Sequence, residues 1–157
     1  MRQAFTMIEL IFVIVIIGIL ASVALPKIAK SRVDAESSFC ALEIRQLTGE
    51  IYNSFTVSGH TIFISTPIYD MTNIRLLQNS SDGQTGIVAN TNIVTGVEYQ
   101  CDGSIIAKFI YSYENLTNEY KMLLELSDGA SPASTLAFKT LKKNFNLNGT
   151  DTKYYIF

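Results

Sequence analysis

The chain has 157 residues, a hydrophobic fraction of 48% and a formal net charge of −2, so its length fits one globular domain with an appendage. A sequence pI near 5.3 argues against a dedicated nucleic-acid-binding protein, because the surfaces of such proteins are strongly basic. The apolar residues are unevenly distributed. Residues 10–25 contain no charged residue and are almost wholly apolar, which is typical of a segment placed in lipid.

The first predicted element is an apolar helix over residues 5–25, whose length at about 1.5 Å per residue matches a hydrocarbon core of about 30 Å. One carboxylate, Glu9, interrupts it, and residues 3–26 contain no Lys, Arg or His. A charged carboxylate in lipid is costly unless it is paired, hydrated or protonated. Either Glu9 reaches the headgroup layer from the first helical turn, where the helix dipole favours it, or its cation comes from a neighbouring chain, a lipid or a free amine.

After Pro26 the helical pattern continues but becomes amphipathic. Proline removes a backbone hydrogen bond and crowds the preceding turn, so we expect a kink near residues 22–26. The tripeptide at residues 57–59 (Val-Ser-Gly) predicts the end of a helix of roughly fifty residues. Apolar residues at helical spacing predict one buried stripe: Val33, Cys40, Ile44, Leu47, Ile51 and Phe55.

Residues 60–96 are predicted to form an irregular, exposed connection. Its first part, TIFISTPIYD, has short strand-like or turn-like character, and its later part, NSSDGQTGIVANTNIVTG, is polar and rich in Gly and Asn. Two strands then follow on either side of Asp102-Gly103, a pair that readily adopts the positive φ angles of a hairpin turn. Residues 118–126 predict a third strand.

The C-terminal part begins with Ser131-Pro132, which is typical of a helix cap followed by proline in the first turn. Leu136, Phe138, Leu141 and Phe145 predict a short helix that stops near Gly149, and the final TKYYIF predicts a closing strand. The predicted fold class is α+β: a long kinked N-terminal helix, transmembrane in its first half and packed in its second half on an antiparallel sheet of about three to four strands.

The two cysteines, Cys40 and Cys101, form a disulfide only if Cys101 faces the helix. A two-residue turn places Val97, Tyr99 and Cys101 of the first strand on the same face of the hairpin as Ile106 and Ile110 of the second strand. The more apolar face of the second strand is the opposite one, which carries Ile105, Ala107, Phe109, Tyr111 and Tyr113. If Cys101 faces the helix, the bond adds about 4 kcal/mol on the chain-entropy model. If Cys101 points away, both thiols stay free.

The first ten residues, MRQA-FTMIEL, strongly resemble the N-terminus of a type IV prepilin. The matching elements are a short basic leader ending in a small residue, a Phe, a Glu as the fifth residue counted from that Phe, and about twenty apolar residues ending in a proline. The resemblance implies that a prepilin peptidase cuts between Ala4 and Phe5 and methylates the new amine of Phe5. It also implies that this amine neutralises Glu9 of the next subunit in a filament.

Two further positions match the family, and two features depart from it. Gly18 and Pro26 lie where the resemblance implies that the helix loosens in a filament, although Gly18 also fits close helix packing in the membrane. The residue before the cut is Ala4 where pilins usually have Gly. The disulfide-bounded loop that pilins often carry near the C-terminus is absent, since Cys40 lies in the predicted helix.

The resemblance divides the chain into a cleaved leader (residues 1–4), a transmembrane and filament-core helix (residues 5–26) and a periplasmic or extracellular head (residues 27–157). The amphipathic half of the helix, at about 27–56, belongs to the head. Before assembly the chain is expected in the bacterial inner membrane as a single-pass protein with a cytoplasmic N-terminus; after assembly it lies in a filament in the periplasm or at the cell surface. Lys27, Lys30 and Arg32 alone would favour the opposite orientation, and the leader outweighs them.

The resemblance implies that the partners are further copies of the chain, other pilins, the prepilin peptidase, an inner-membrane assembly platform and membrane lipid, with no cofactor. A structural filament subunit is the function it favours. The alternatives are a pseudopilin of a type II secretion pseudopilus, a DNA-uptake (competence) pilin and, more distantly, a single-span membrane-anchored periplasmic binding module. Nucleic acid is a partner only for a competence pilin.

Other classes have weaker support from the residues. A secretory signal cut after Ala24 would follow small residues, but Glu9 lies within its apolar region. His60 is the only histidine, and no CxxC, HExxH or GxxxxGK pattern is present, so we expect neither an enzyme nor a metal site. Asp82 and Asp128 are predicted to be solvated turn residues. Lys139, Lys142 and Lys143 form a small basic face that favours solvent over DNA.

Overall fold

The fold is described from a computed structural model, which covers residues 5–77, 83–88, 92–117, 119–147 and 149–157. The chain forms two compact units, Met1–Asp34 and Ala35–Phe157. The elements in chain order are α1 (Met7–Phe63), α2 (Ile68–Met71), β1 (Leu76–Leu77), β2 (Gly86–Val88), β3 (Val97–Cys101), β4 (Ser104–Glu114), β5 (Glu119–Leu126), α3 (Pro132–Asn144) and β6 (Thr152–Ile156). The predicted leader, including Ala4, lies outside the described residues, as does Asp82.

The long N-terminal helix is present, and it ends later than predicted. Gly59 has non-helical angles (φ 68°, ψ 170°), and a further turn follows it to Phe63. The extra turn places Phe63 in the core, fully buried, with its ring 5.3 Å from Phe55 and 5.1 Å from Tyr111 between centroids. The predicted stop therefore marks a break inside α1, because tertiary packing of Phe63 stabilises one more turn beyond the glycine.

The buried stripe of the amphipathic half is confirmed from Cys40 onward, whereas Val33, its predicted first member, is only half-buried and belongs to the N-terminal unit. Cys40, Ile44, Leu47 and Ile51 have no accessible surface, and Phe55 packs against the same core while partly exposed. Their spacing of three and four residues keeps them on one face of the helix. This face covers the apolar side of the sheet within the second compact unit.

The α+β class is confirmed, but the sheet is larger than predicted. In the described residues six strands form one sheet in the order β1-β2-β3-β4-β5-β6. Only β1 and β2 run parallel, and the other neighbouring pairs are antiparallel. The three predicted strands form its centre and β6 its edge; the additional strands β1 and β2 come from the connection between residues 60 and 96.

In its described parts that connection is not an exposed, irregular segment, so the prediction for residues 60–96 was wrong there. Its described parts contain α2, β1 and β2, and several of its apolar side chains are buried. Glycine and asparagine indicate turns there, but the isolated apolar residues between them reach the core through long-range contacts. The buried residues are Phe63, Ile68, Met71, Ile74, Leu77, Ile87 and Ile93.

The central hairpin turns at Asp102-Gly103, as predicted. Both residues have positive φ, 46° and 78°, as a tight two-residue turn requires. The pairing then shifts between Tyr99 and Gln100, so that Gln100 pairs with Ile105, Tyr99 pairs with Ala107, and Ile106 has no partner in the register. Beyond this bulge Ala107 and Phe109 pair with Tyr99 and Val97, so the side of β3 that carries Cys101 meets the buried part of the richer apolar face. Ile105, which was predicted on that face, lies at the bulge and is exposed.

Cys40 of α1 and Cys101 of β3 form a disulfide with a Cα–Cα distance of 5.9 Å. Both residues are fully buried. The bond links the buried stripe of the helix to the centre of the sheet, across a sequence separation of 61 residues.

The C-terminal helix begins where the sequence predicts and buries a narrower face. Ser131 and Ser134 form a capping box, since each backbone N–H donates to the other side-chain oxygen (3.1 and 3.0 Å). Ala133, Ala137 and Leu141 are buried, whereas Leu136, Phe138 and Phe145 are only half-buried. The helix stops at Asn144, and β6 follows as the predicted closing strand.

One buried polar contact ties the helix to the sheet. Tyr99 has no accessible surface, and its hydroxyl donates a hydrogen bond of 2.6 Å to the Glu43 carboxylate. Burial, reinforced by the Glu43 carboxylate, raises the pKa of Tyr99 above its ordinary value of 10.0.

The substitution Tyr99→Phe should destabilise the chain by about 1.5–3 kcal/mol, because it removes a hydrogen bond to a charged group. It should also weaken the alkaline loss of stability. The folded-state pKa of Tyr99 is raised, so above pH 10 the unfolded chain releases the proton first and stability falls as the pH rises. Urea unfolding of the full chain in detergent, at neutral pH and above pH 10, measures both effects. Tyr154→Phe, at an exposed position, is the control; equal alkaline slopes for both variants would contradict the assignment.

Candidate functional site

The N-terminal unit exposes its whole apolar surface. Even Ile16, the least exposed of the large apolar side chains from Phe5 to Ile28, keeps 39% of its accessible surface. This part of α1 is long and apolar enough to cross a membrane by length and composition. So large an apolar surface requires a cover of lipid or of other helices, since water is a poor solvent for it.

Glu9 lies in the first turn of α1 and closes a capping box with Thr6. The Thr6 backbone N–H and hydroxyl both donate to Glu9 Oε2, at 2.8 and 2.7 Å, and the Glu9 N–H donates to Thr6 Oγ1 at 3.3 Å. The sequence reasoning for Glu9 overlooked Thr6, although T-x-x-E is a recognised cap pattern. Among the residues that the structure describes, only the neutral donors of Thr6 contact the carboxylate, and no cation lies within salt-bridge distance of it.

Phe5 precedes this cap and is 89% exposed. The predicted cleavage would place a free amine on Phe5, one residue before Thr6 and four before Glu9. An amine and a carboxylate would then lie at the same end of one apolar helix. The pairing of Phe5 with Glu9 between copies, and the role of Ala4 in the cut, stay predictions.

The residues predicted to loosen the helix are both inside α1. A Cβ added to Gly18 would meet nothing within 4 Å, so its own chain does not require glycine there. Pro26 has helical backbone angles, and the non-helical residue in α1 is Gly59. Loosening at Gly18 and Pro26 stays a prediction about the assembled state.

The only histidine of the sequence lies in the globular unit. His60 Nδ1 lies 2.9 Å from the Tyr111 hydroxyl, and its ring stacks on Tyr120 at 4.6 Å between centroids, so this histidine is part of an aromatic cluster. No group of three or more metal-ligating side chains occurs among the described residues. The prediction that the chain lacks enzymatic activity stays a prediction.

A polar cleft of about 350 Å³ opens beside the middle of α1. Glu50 is oriented there by two neutral donors: Gln46 Nε2 at 2.8 Å and the Thr72 hydroxyl. The cleft is wide open to solvent. Its lining residues are Glu50, Asn53, Ser54, Val57, Asp70, Met71 and Asn73.

A comparison with protein-family models finds a match at the N-terminus of the chain. Residues 1–25 match the family model described as the prokaryotic N-terminal methylation motif, the hallmark of type IV pilins and pseudopilins. No curated protein and no solved structure matches the chain. The motif and the exposed apolar helix together support a type IV pilin-like or pseudopilin subunit that is anchored in a membrane.

Proposed function

We propose that this chain is a structural subunit of a type IV pilin-like bacterial surface filament, held in the inner membrane until it is assembled. The observation that carries the proposal is an apolar helix, exposed on all sides, that contains one oriented carboxylate and begins with the methylation motif. The membrane covers this helix before assembly. Neighbouring copies of the same helix cover it in the filament.

Processing creates the charge that Glu9 lacks. A prepilin peptidase cuts between Ala4 and Phe5 and methylates the new Phe5 amine. The amine of one subunit then pairs with Glu9 of the next, and Thr6 holds that carboxylate in place through two hydrogen bonds. Moving apolar residues from lipid into a helix bundle gains little hydrophobic energy, so packing and this ion pair supply the specificity of assembly.

The disulfide supports an orientation with the globular unit outside the cytoplasm. Disulfides persist in the periplasm and at cell surfaces, whereas cytosolic thiols are kept reduced. Cys40 and Cys101 both lie on the C-terminal side of the apolar segment. This evidence agrees with a cytoplasmic leader and opposes the orientation that Lys27, Lys30 and Arg32 would favour by charge alone.

The N-terminus of the mature chain provides the first test of the proposal. Mass spectrometry of the chain from its native host should find residues 1–4 removed and a methylated amine on Phe5. A mature chain that begins at Leu25 would instead identify an ordinary secretory signal, and a chain that retains Met1 to Ala4 would exclude processing as a pilin.

The place of the chain in a filament requires a second measurement. Gold-labelled antibodies against the globular unit should decorate filaments along their length, and shearing the cells should release the chain with them. Labelling confined to the cell envelope would favour a pseudopilin, and labelling only at the filament end would favour a tip subunit.

A further inference from the structure

The turn between β4 and β5 contains the tripeptide Asn115-Leu116-Thr117. An asparagine that is followed by any residue except proline, and then by Ser or Thr, is the acceptor pattern of N-glycosylation. The sequence contains two further copies of this pattern, which begin at Asn79 and Asn148. Both of those asparagines lie outside the described residues, so the structure bears on Asn115 alone.

The tripeptide lies at the tip of the hairpin formed by β4 and β5. Glu114 and Glu119 are the last pair of these two strands, and the turn extends beyond them. Asn115 and Thr117 are exposed, and Leu116 keeps 94% of its accessible surface. An enzyme and a bulky sugar can therefore reach the asparagine while the sheet stays intact, which is the surface-loop setting that N-glycosylation requires.

The fold itself does not explain an asparagine at residue 115. Asparagine is common in turns because its side chain binds nearby backbone N–H groups or because it tolerates positive φ. Asn92 shows the first use, since its Oδ1 accepts from the N–H groups of Val94 (3.0 Å) and Thr95 (2.8 Å), and Asn146 shows the second, with φ 55°. Among the residues that the structure describes, the Asn115 side chain makes no hydrogen bond and its φ is not positive. Its carboxamide is therefore available to a modifying enzyme.

We propose that Asn115 is N-glycosylated on the outer side of the membrane, with a polyprenyl-pyrophosphate-linked oligosaccharide as the donor substrate. The inference rests on the proposed function, because the proposed orientation places the globular unit, with its disulfide, outside the cytoplasm. The polyprenyl chain keeps the donor in the bilayer. The apolar helix holds the acceptor chain at the same membrane before assembly.

The transfer forms one bond and breaks another. The side-chain nitrogen of Asn115, Nδ2, attacks C1 of the first sugar of the donor, so that an N–C bond forms. The bond between C1 and the pyrophosphate oxygen breaks, and the polyprenyl pyrophosphate leaves with the electron pair of that bond. The proton lost from Nδ2 goes to a base of the transferase. The exchange is a substitution, so it needs neither an oxidant nor a reductant.

Peptide mass spectrometry of the full chain from its native host tests the proposal. Trypsin cuts after Lys108 and Lys121, so the peptide at residues 109–121 contains Asn115 and no second copy of the acceptor pattern. In wild type this peptide should carry sugar, and fragmentation that preserves glycosidic bonds should locate the sugar on Asn115. An unmodified Asn115 would overturn the proposal, and so would sugar attached to a hydroxyl group of this peptide instead.

Two variants of Thr117 test whether the acceptor pattern directs the modification. Thr117→Ala removes the hydroxyl and keeps Asn115, so this variant should lose the sugar. Thr117→Ser keeps the pattern and should keep the sugar, at full or reduced occupancy. The position is exposed, and the Cys40–Cys101 bond on a non-reducing gel checks the fold of both variants. Sugar on Asn115 of the Thr117→Ala variant would contradict the proposal, as would its complete loss from the folded Thr117→Ser variant.

The same samples test the proposed function separately. The N-terminal peptide reports whether residues 1–4 are removed, and the peptide at residues 109–121 reports the sugar. A chain that lacks the leader and has an unmodified Asn115 would refute the glycosylation alone. A chain that retains the leader and carries sugar on Asn115 would refute the filament subunit and support the glycosylation.

Discussion

Replacing Glu9 with alanine should leave the chain in the membrane but almost eliminate it from filaments. Insertion depends on apolar length, and alanine makes the segment more apolar, so the amount of membrane-held chain should not fall. In the filament the substitution would leave the Phe5 amine of a neighbour without its partner. Removing one member of a buried ion pair costs about 3–5 kcal/mol, which corresponds to a loss of more than about a hundredfold in an association constant.

Two matched variants separate the charge of Glu9 from its role in the helix cap. Glu9→Gln keeps an oxygen that can accept the hydrogen bonds of Thr6 but removes the charge, so it should fail to assemble as Glu9→Ala does. Thr6→Ala removes the cap at a cost of about 1 kcal/mol and keeps the charge, so its filaments should be fewer but present. The measurement is the chain in sheared filaments against the chain in membranes. Normal filaments from Glu9→Gln would show that the carboxylate matters only as a cap.

Loss of the disulfide should cause the largest change in stability. The double variant Cys40→Ala/Cys101→Ala removes a bond that closes a separation of 61 residues, and the chain-entropy model assigns such a bond about 4 kcal/mol. Domains of ordinary size are stable by about 5–15 kcal/mol, so this is a substantial part of the total. Alanine is preferred to serine because both positions are fully buried, where an unpaired hydroxyl would add its own cost.

Urea unfolding of the full chain in detergent, followed by tyrosine fluorescence, measures the effect of the disulfide. The variant should unfold at a markedly lower urea concentration than the oxidised wild type. Wild type treated with a reductant should lie near the variant, since both lack the cross-link. An unchanged midpoint in both samples would show that the helix and the sheet do not depend on this bond.

Local signals predicted much of the fold. Helical spacing alone predicts the buried stripe from Cys40 to Ile51. The tolerance of Asp102 and Gly103 for positive φ predicts the hairpin turn. Ser131 and the proline that follows it predict the start of α3. The connection at residues 60–96 failed because its apolar residues are too scattered to form a periodic pattern. Their burial is determined by strands that lie far away in the sequence. The unpaired Ile106, which sets the facing of the hairpin, has no local signature.

The roles of Ala4, Phe5 and Glu9 in the candidate site stay predictions. Glu9 could be singled out from the sequence, because a charged carboxylate within an apolar segment is energetically costly in lipid. The role of Thr6 was not predicted, although its position three residues before Glu9 is a local signal of a capping box. Lys139 and Lys143 are exposed, as predicted for a solvent-facing basic group, whereas Lys142 pairs with Asp151.

The position of the disulfide also determines how the chain carries mechanical load. When force is applied between the N-terminal segment and β6, the covalent path runs along the helix to Cys40, crosses to Cys101 and continues to the C-terminus. Residues 41–100 lie outside that path and cannot be extended while the bond is intact. Fully stretched they would add about 200 Å, so the cross-link limits how far a subunit under tension can lengthen.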